Sequence, residues 1–415
     1  MRISTNLLFQ TGLDHLNRQQ AQMLHSFKQA ASGQRITAPS DDPLAASQTI
    51  NLSQSLAQQN RFAENRGVLK QNLRIEENIL DSVTSQLQEV KSRLVEVGNG
   101  ALSDADRHTL ADVLQHARDN LFELANSTDG NGHYLFSGHA SSKPAFIRDG
   151  NGQVHYAGDD GQRLIQADSV RQIAAADSGR QVFMQAYSGN KAYLSEAAAH
   201  NTGTAVVSAP LISDYQGAHI GHRFEITFSD DALNPHFTVN VFDETGQVDS
   251  AIINYKPNAS NLHLPGGVQL NISGQPADGD AFTVSPAFSS QGGAEVNLFE
   301  TLDTLISQLK QANDANPHQK SLLQNRLNSA FQKIDLNYNQ VLTVRASVGA
   351  RLAEIDAIDS NGQLQALGLR SELSRLEDTD YFEVFTQLQQ QQTALEAAAL
   401  AFKRIQAANL LNVRS

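Results

Sequence analysis

The sequence predicts a mainly α-helical protein into which a β-rich module is inserted. In both the N-terminal and the C-terminal parts of the chain, apolar residues recur at steps of three and four, as on one face of an amphipathic helix. Between about residues 204 and 287 the period changes to two, as in half-buried strands. We therefore expect the N- and C-terminal regions to form a long antiparallel helical bundle or coiled coil, with the β-rich domain inserted at its far end.

Three amphipathic helices are predicted before residue 130. The first is expected to end at Ser32-Gly33, because glycine is a common helix stop. The second starts after Pro43 and carries the most regular apolar seam of the chain, with only Glu76 out of pattern. Ser103 is placed to cap the third helix through its side-chain oxygen. Such narrow seams are not stable alone, so these helices need packing partners.

The middle of the chain is predicted to form short strands joined by turns. Asp149–Gly152 lies between two short strand-like runs and predicts a hairpin turn. Phe224, Ile226 and Phe228 alternate with polar residues, which places them on one face of a strand. Several strands at this spacing predict a small β-sandwich-like module. Further strand candidates lie at residues 237–241, 250–255, 267–273 and 281–285.

Helical periodicity returns near residue 295. A long seam follows Pro317, and a last helix carries its stripe from Val384 towards the C-terminus. The stretch Ser32–Ser47 separates the first helix from the main bundle, so the first and last helices can bury little apolar surface between them. We expect both ends to be disordered or marginally stable in a free monomer and to find their packing partners in other subunits.

These patterns divide the chain into three predicted parts. The terminal assembly helices comprise residues 1–40 and 384–415, and a helical rod domain with a β-hairpin comprises residues 41–185 and 295–383. Residues 186–294 form the inserted, β-sandwich-like outer domain. The residues predicted for the subunit-assembly surface are Phe9, Leu13, Leu16, Met23 and Phe27 on the first helix and Val384, Leu388, Leu395, Phe402 and Ile405 on the last.

An adjacent pair of carboxylates, Asp41 and Asp42, lies between the first two helices. A catalytic pair would need a histidine or further ligands nearby, and the sequence offers none. The pattern instead favours a joint, with Gly33 as the stop of the first helix and Pro39 in an extended connector. Asp42 then caps the second helix, and Pro43 occupies its first position, where the missing N–H costs nothing.

Composition and motifs argue against several classes of function. The chain has no cysteine, and its thirteen histidines show neither HExxH nor HxH spacing, so no metal site, cofactor or catalytic residue is predicted. The net charge of the whole chain is −13 although residues 1–40 and 386–415 carry +3 and +2, so the body between them is strongly acidic and would repel nucleic acid and anionic membranes. We therefore expect no nucleic-acid partner and no membrane partner, and we find neither an apolar membrane span nor a cleavable signal peptide.

Both ends of the sequence resemble the flagellin superfamily. MRISTNLLFQTGLDHL followed by AASGQRITAPSDDPLAAS is similar to the N-terminus of that family, and TALEAAALAFKRIQAANLLNVRS is similar to its C-terminal helix. The turn PSDDP at Pro39–Pro43 and the segment GHYLFSGHASSKPAF at Gly132–Phe146 resemble the hook–filament junction members rather than filament flagellins. The resemblance covers residues 1–185 and 295–415, whereas residues 186–294 match no motif of the family.

The resemblance implies a non-enzymatic structural adaptor of the bacterial flagellum. Such a protein forms a ring between hook-associated protein 1 and the flagellin filament, and its terminal helices fold as they pack against neighbouring copies of the chain. The resemblance also implies export through the flagellar type III apparatus without a cleaved signal peptide, and a cytosolic export chaperone that binds the C-terminal helix. The final location would be extracellular, at the hook–filament junction.

Two alternatives stay open on the sequence alone. A divergent flagellin would build the filament itself, and it would differ from a junction protein by growing long filaments from purified subunits. A surface adhesin or a hydrolase could reside in residues 186–294, although no nucleophile and base are visible there. A glycan or substrate screen on that module would test the second alternative.

Overall fold

The structure, a computed structural model, divides into two compact units. Unit 1 comprises Met1–Asn65 together with Ala357–Ser415, and unit 2 comprises Arg66–Asp356. The three-part domain division expected from the sequence has different boundaries and stays a prediction. The residues that the structure describes are 5–98, 103–185, 192–257, 261–289, 292–293, 296–311 and 317–412.

The described residues form seven helices, and apolar residues at helical spacing account for most of them. The two longest helices, α2 and α6, each begin at a proline, which has no N–H to leave unpaired. The helices are α1 (Thr5–Ser32), α2 (Pro43–Gly98), α3 (Asp104–Ala125), α4 (Gly179–Phe183), α5 (Leu298–Gln311), α6 (Pro317–Glu377) and α7 (Tyr381–Asn412).

The strands lie between α3 and α5 in the chain. Four short ones form two hairpins, and the others belong to the inserted β-rich region. The strands are β1 (Phe146–Arg148), β2 (Val154–Tyr156), β3 (Leu164–Gln166), β4 (Gln172–Ala174), β5 (Tyr193–Ala197), β6 (Val206–Val207), β7 (Leu211–Ile212), β8 (Arg223–Ser229), β9 (His236–Asp243), β10 (Gly246–Asn254), β11 (Asn261–Leu264), β12 (Val268–Ser273), β13 (Ala281–Pro286), β14 (Phe288–Ser289) and β15 (Gly292–Gly293).

This element order confirms the predicted fold class, which is mainly helical with an inserted β-rich region. In unit 1, α1 packs against α7, so the first and last helices pair with each other. In unit 2, α3 packs against α5. The third helix begins as predicted, because the Ser103 Oγ accepts the Asp106 N–H at 3.3 Å and Asp106 Oδ2 accepts the Ser103 N–H at 3.2 Å.

The regular seam of α2 forms a buried core in unit 2. Leu69, Leu73, Leu80 and Leu87 have no exposed surface. Glu76, the one residue out of pattern, is also fully buried, although a charged side chain is costly to bury. Its Oε1 accepts the backbone N–H of Asp177 at 3.0 Å.

A small electrostatic cluster surrounds that buried carboxyl. Asp177 accepts hydrogen bonds from the Gln162 amide, at 2.9 Å, and from the Arg351 guanidinium. Arg351 also donates to the Ala174 carbonyl at 3.2 Å. Burial raises the pKa of Glu76 to about 8, and the neighbouring charge of Asp177 adds to the shift.

The turn residue Asp149 accepts the N–H groups of Asn151 and Gln153 at 2.9 and 2.8 Å, which confirms a hairpin turn between β1 and β2.

Aromatic side chains connect the hairpin region of unit 2 to α5. The ring of Phe183 on α4 lies within 5.5–6.0 Å, centre to centre, of three other phenylalanine rings. These rings belong to Phe136, Phe146 and Phe299.

The inserted region is a sandwich of two antiparallel sheets. One sheet has the order β10-β9-β8-β13-β5, and the other has the order β11-β12-β6, with β7 paired to β12. Phe224, Ile226 and Phe228 of β8 share one core with Leu262 of β11 and Leu270 of β12. The alternating pattern of β8 therefore faces inward as predicted, and the second sheet closes the other side of the core.

Candidate assembly site

The joint between α1 and α2 begins at a glycine that no other residue can easily replace. Gly33 follows the last residue of α1 and has a φ of +71°, in the region that disfavours a side chain. A Cβ at this position would lie 2.8 Å from the hydroxyl oxygen of Tyr381. The Gly33 N–H donates to the Gln29 carbonyl at 2.9 Å, which satisfies the end of the helix.

The same joint is tied to the connector between α6 and α7. The Gly33 carbonyl accepts the Thr379 N–H at 3.0 Å, and the Arg35 N–H donates to the Glu377 carbonyl at 2.6 Å. The Arg35 guanidinium adds a bond to the Leu376 carbonyl at 3.1 Å. These backbone bonds hold together the two places at which the terminal helices α1 and α7 leave the rest of unit 1.

Asp41 closes a tight turn within this joint. Its Oδ2 accepts the N–H groups of Thr37 and Ala38 at 3.0 and 2.8 Å, and the Thr37 hydroxyl at 3.0 Å. These bonds, with that from Ala38 first, lower the pKa of Asp41. Pro39 does not keep the connector extended, and that prediction is wrong. The Asp41 N–H donates to the Ala38 carbonyl at 2.9 Å, so Pro39 occupies the second position of a turn, where its fixed φ is favourable.

Asp42 has a different task from its neighbour. Its Oδ1 accepts the Ala45 N–H at 3.0 Å, and its carbonyl accepts the Ala46 N–H at 2.9 Å. Pro43 is the first residue of α2. Asp42 also lies 3.5 Å from Arg35, but both side chains are exposed and this ion pair adds little stability. The two carboxylates thus bind backbone groups, one in the turn and one at the helix start.

The last helix starts three residues before the predicted Val384. Asp380 caps it, because its Oδ1 accepts the N–H groups of Phe382 and Glu383 at 2.9 and 3.3 Å. Sequence reasoning missed this cap. The signal that could have found it is an aspartate followed three residues later by Glu383 and by an apolar run.

The structure places the predicted assembly residues along α1 and α7 with different exposures. Val384 is buried, while Leu13 and Phe27 are exposed by 44% and 61%. Four others are half-buried: Leu16, Met23, Leu388 and Leu395. Three belong to the helices by their backbone, while their side chains lie outside the described part of the structure: Phe9, Phe402 and Ile405.

Unit 1 exposes further large apolar side chains that sequence reasoning did not select. Phe382 at the start of α7 is exposed by 84%, and Phe385 and Leu24 by 59% and 57%. The rings of Tyr381 and Phe385 stack with their centres 6.2 Å apart, and both remain accessible. These residues lie beside the single heptad seam that guided the prediction, so a search confined to that seam passed over them.

Unit 1 also has few buried apolar side chains in its described part. Those buried are Ala45, Phe62, Ile358 and Val384, whereas twelve large apolar side chains are exposed. Burial is what stabilises a helix with a narrow apolar stripe, and the described part of unit 1 combines a small core with many exposed apolar side chains, a combination typical of interaction surfaces. The twelve are Leu7, Leu13, Leu24, Phe27, Leu44, Ile50, Leu364, Leu367, Tyr381, Phe382, Phe385 and Leu400.

Membrane-spanning helices and three-ligand metal centres are both absent from the described residues. None of their helices combines the length and the apolar character that a membrane span requires. Nor do they contain a group of three His, Asp or Glu side chains placed to hold a metal ion. The candidate functional site is the exposed apolar surface of unit 1.

Comparison with known proteins identifies the family of the chain. The family model for the bacterial flagellin N-terminal helical region matches residues 3–141. The flagellar hook-associated protein 3 of Salmonella typhimurium is 28% identical over 413 residues, which cover 100% of this chain and 99% of that protein. The match to this relative therefore extends through the inserted β-rich region.

Solved structures agree with this result. The crystal structure of Xanthomonas campestris FlgL is 30% identical, with a TM-score of 0.65, and the match covers 78% of this chain and 99% of that one. The flagellar junction protein FlgL from Legionella pneumophila is 26% identical, with a TM-score of 0.64, over 80% of this chain and 100% of that one. These relatives are flagellar proteins, and no enzyme family is indicated. The chain belongs to the flagellar hook-associated protein 3 (FlgL) family.

Proposed function

We propose that this chain is a non-enzymatic adaptor that forms a ring at the hook–filament junction, between hook-associated protein 1 and the flagellin filament. The observation that carries the proposal is the exposed apolar surface of unit 1, at the two ends of the chain. Burying one such side chain contributes about 1.5–3 kcal/mol, so contact with neighbouring subunits would supply the stability that unit 1 lacks. A relative named as the flagellar junction protein supports the location.

In this mechanism, folding of the ends is coupled to assembly. The terminal helices α1 and α7 stay marginal in the monomer and become ordered when neighbouring copies, hook-associated protein 1 and flagellin cover their apolar faces. The joint at Gly33–Pro43 marks where this coupled part begins. Before export the exposed face of α7 would need protection, which fits a chaperone bound to the C-terminal helix. Export would proceed without a cleaved signal peptide.

A pair of matched variants tests the role of the exposed face. Phe382→Ser combined with Phe385→Ser removes two exposed rings from unit 1, whereas Leu233→Ser removes an even more exposed side chain (96%) from a loop of unit 2. Each variant would replace the native protein in cells, and attached filaments would be counted by electron microscopy. We expect the double variant to lose filaments and to secrete flagellin, while Leu233→Ser keeps its filaments.

Normal filament attachment by the double variant, in protein that is exported at native level, would contradict the proposal. A separate assay distinguishes a filament flagellin from a junction protein. Purified subunits of this chain, mixed with filament seeds, should not grow long filaments. Sustained growth would favour the divergent flagellin, whose N-terminal helical region the chain shares.

A further inference from the structure

Two histidines face each other in the loop between β7 and β8. The segment is His219-Ile220-Gly221-His222, and the two Nδ1 atoms lie 3.3 Å apart. This spacing of three falls outside the HExxH and HxH motifs, so a motif search does not find it. Both imidazole rings are partly buried rather than free in solvent.

The loop that carries the two rings is fixed by its own hydrogen bonds. The hydroxyl of Tyr193, a buried residue of β5, accepts the Gly221 N–H at 2.6 Å and donates to the His219 carbonyl at 3.4 Å. The His222 N–H donates to the same carbonyl at 3.1 Å. The backbone therefore sets the separation of the two rings, and little ordering is needed for both to bind one ligand.

A carboxylate orients the first ring. The Nε2 of His219 lies 3.1 Å from the Oδ2 of Asp249, on the edge strand β10. A carboxylate can only accept, so Nε2 is the donor, and in the neutral ring the Nδ1 of His219 then presents a lone pair towards His222. A histidine whose other nitrogen donates to a carboxylate is the usual arrangement around a protein-bound metal ion.

The separation of the two nitrogens also fits a metal ion. At 3.3 Å the two nitrogens are within reach of a hydrogen bond between the rings when no metal is bound. Two nitrogens that bind one tetrahedral Zn²⁺ at about 2.0–2.1 Å are separated by about 3.3–3.4 Å. The observed distance therefore also matches the edge of a zinc coordination tetrahedron.

We propose that His219 and His222 bind one divalent transition-metal ion, such as Zn²⁺, through their Nδ1 atoms. Asp249 does not bind the ion but fixes the orientation of the His219 ring. Imidazole ligands favour Zn²⁺, Cu²⁺ or Ni²⁺ over Mg²⁺ and Ca²⁺, which prefer oxygen. The described residues hold no third protein ligand nearby, so water completes the coordination and the ion exchanges readily. Because it binds only the folded loop, the metal stabilises the inserted sandwich.

The test uses the full chain, freed of metal with EDTA and titrated with zinc chloride by isothermal calorimetry. We expect one equivalent of Zn²⁺ to bind the native chain, and His219→Ala or His222→Ala to abolish this binding. Asp249→Asn should weaken it about 10–100-fold, as for other partners that orient a metal ligand. His263→Ala, an exposed histidine of β11, is the matched control and should bind as the native chain does.

Nuclear magnetic resonance of the histidine rings supplies a second measurement that does not depend on the substitutions. Addition of zinc chloride should shift the Nδ1 signals of His219 and His222 in the native chain before those of other histidines. Circular dichroism without metal would establish that each variant is folded. The proposal is overturned if the native chain binds no Zn²⁺ at tenfold excess, or if His219→Ala and His222→Ala bind it with native affinity.

Discussion

The two units use the same kind of helical pattern with opposite results. In unit 2, the leucines of the α2 seam are fully buried, and the sandwich has a continuous core of its own. In unit 1, the comparable stripe on α1 leaves Leu13 and Phe27 exposed by 44% and 61%, and Phe385, beside the stripe of α7, is exposed by 59%. The comparison teaches that an amphipathic stripe shows that a helix needs a partner, but it does not show whether that partner lies in the same chain.

The largest expected difference between the units comes from their phenylalanines. Phe183→Ala removes a fully buried ring that contacts three other rings, and it should lower the free energy of unfolding by about 3–5 kcal/mol. Phe385→Ala in unit 1 should lower it by less than about 0.5 kcal/mol. Urea unfolding of the monomer measures both, and equal losses would remove the distinction between the units.

A second prediction concerns the buried carboxyl of unit 2. The pKa of Glu76 is about 8 in the folded chain and near the ordinary 4.5 in the unfolded chain. The folded state therefore holds an extra proton between these values, and its stability falls by a few kcal/mol as the pH rises from about 4.5 to 8. Glu76→Gln has no titrating group at this position, so its free energy of unfolding should not fall in this way. The stability of the variant relative to the native chain should therefore increase as the pH rises across that range.

Urea unfolding at several pH values would measure this difference. Because Asp177 and Arg351 interact with the Glu76 carboxyl, the difference between the two proteins measures that carboxyl together with these interactions. Parallel stability curves for the native chain and Glu76→Gln between pH 5 and 9 would show that the carboxyl is not protonated on folding.

The joint of unit 1 should respond to smaller changes. Gly33→Ala places a side chain at a positive φ and against the Tyr381 hydroxyl, at a cost of about 1–2 kcal/mol. The Thr379 amide, which donates to Gly33, should then exchange its hydrogen about 5–30-fold faster. Gly132→Ala is the control, because it has a similar φ of +83° in open space and lies in unit 2. Unchanged hydrogen exchange at Thr379 in Gly33→Ala would show that the conformation of Gly33 does not hold the bond between its carbonyl and the Thr379 N–H.

The smallest effect is expected at the start of α2. Asp42→Ala removes the acceptor of the Ala45 N–H and should destabilise the first turn of the helix by about 1 kcal/mol. Hydrogen exchange at Ala45 and Ala46 measures this change. Asp42→Asn keeps an acceptor and serves as the control, so equal effects of both substitutions would argue for the charge rather than the cap.

The sequence predicted those elements whose pattern is local. The period and length of α2 and the alternation in β8 are visible within a few turns or one strand. Strand β5 was missed because its consecutive residues Tyr193, Leu194 and Ser195 are all buried, which leaves no alternation to detect. The burial of Glu76 was equally invisible, since Asp177 and Arg351 reach it only through the fold.

The candidate site was predicted in part, for the same reason. Asp42 and Pro43 act with their immediate neighbours, so local rules suffice to find the start of α2. Pro39 is compatible with an extended connector and with a turn, and the bonds of Asp41 decide between them. The exposure of Phe382 depends on whether residues distant in the sequence pack over it, and no local pattern contains that information.

The central claim is that the terminal helices fold only when neighbouring subunits cover them. Hydrogen exchange followed by mass spectrometry on the purified monomer tests it most directly. We predict that the amides of α1 and α7 exchange within seconds, while those of α2 at Leu69–Leu87 stay protected for hours because they lie in the buried core. Protection of α1 and α7 equal to that of α2 in the monomer would contradict the account.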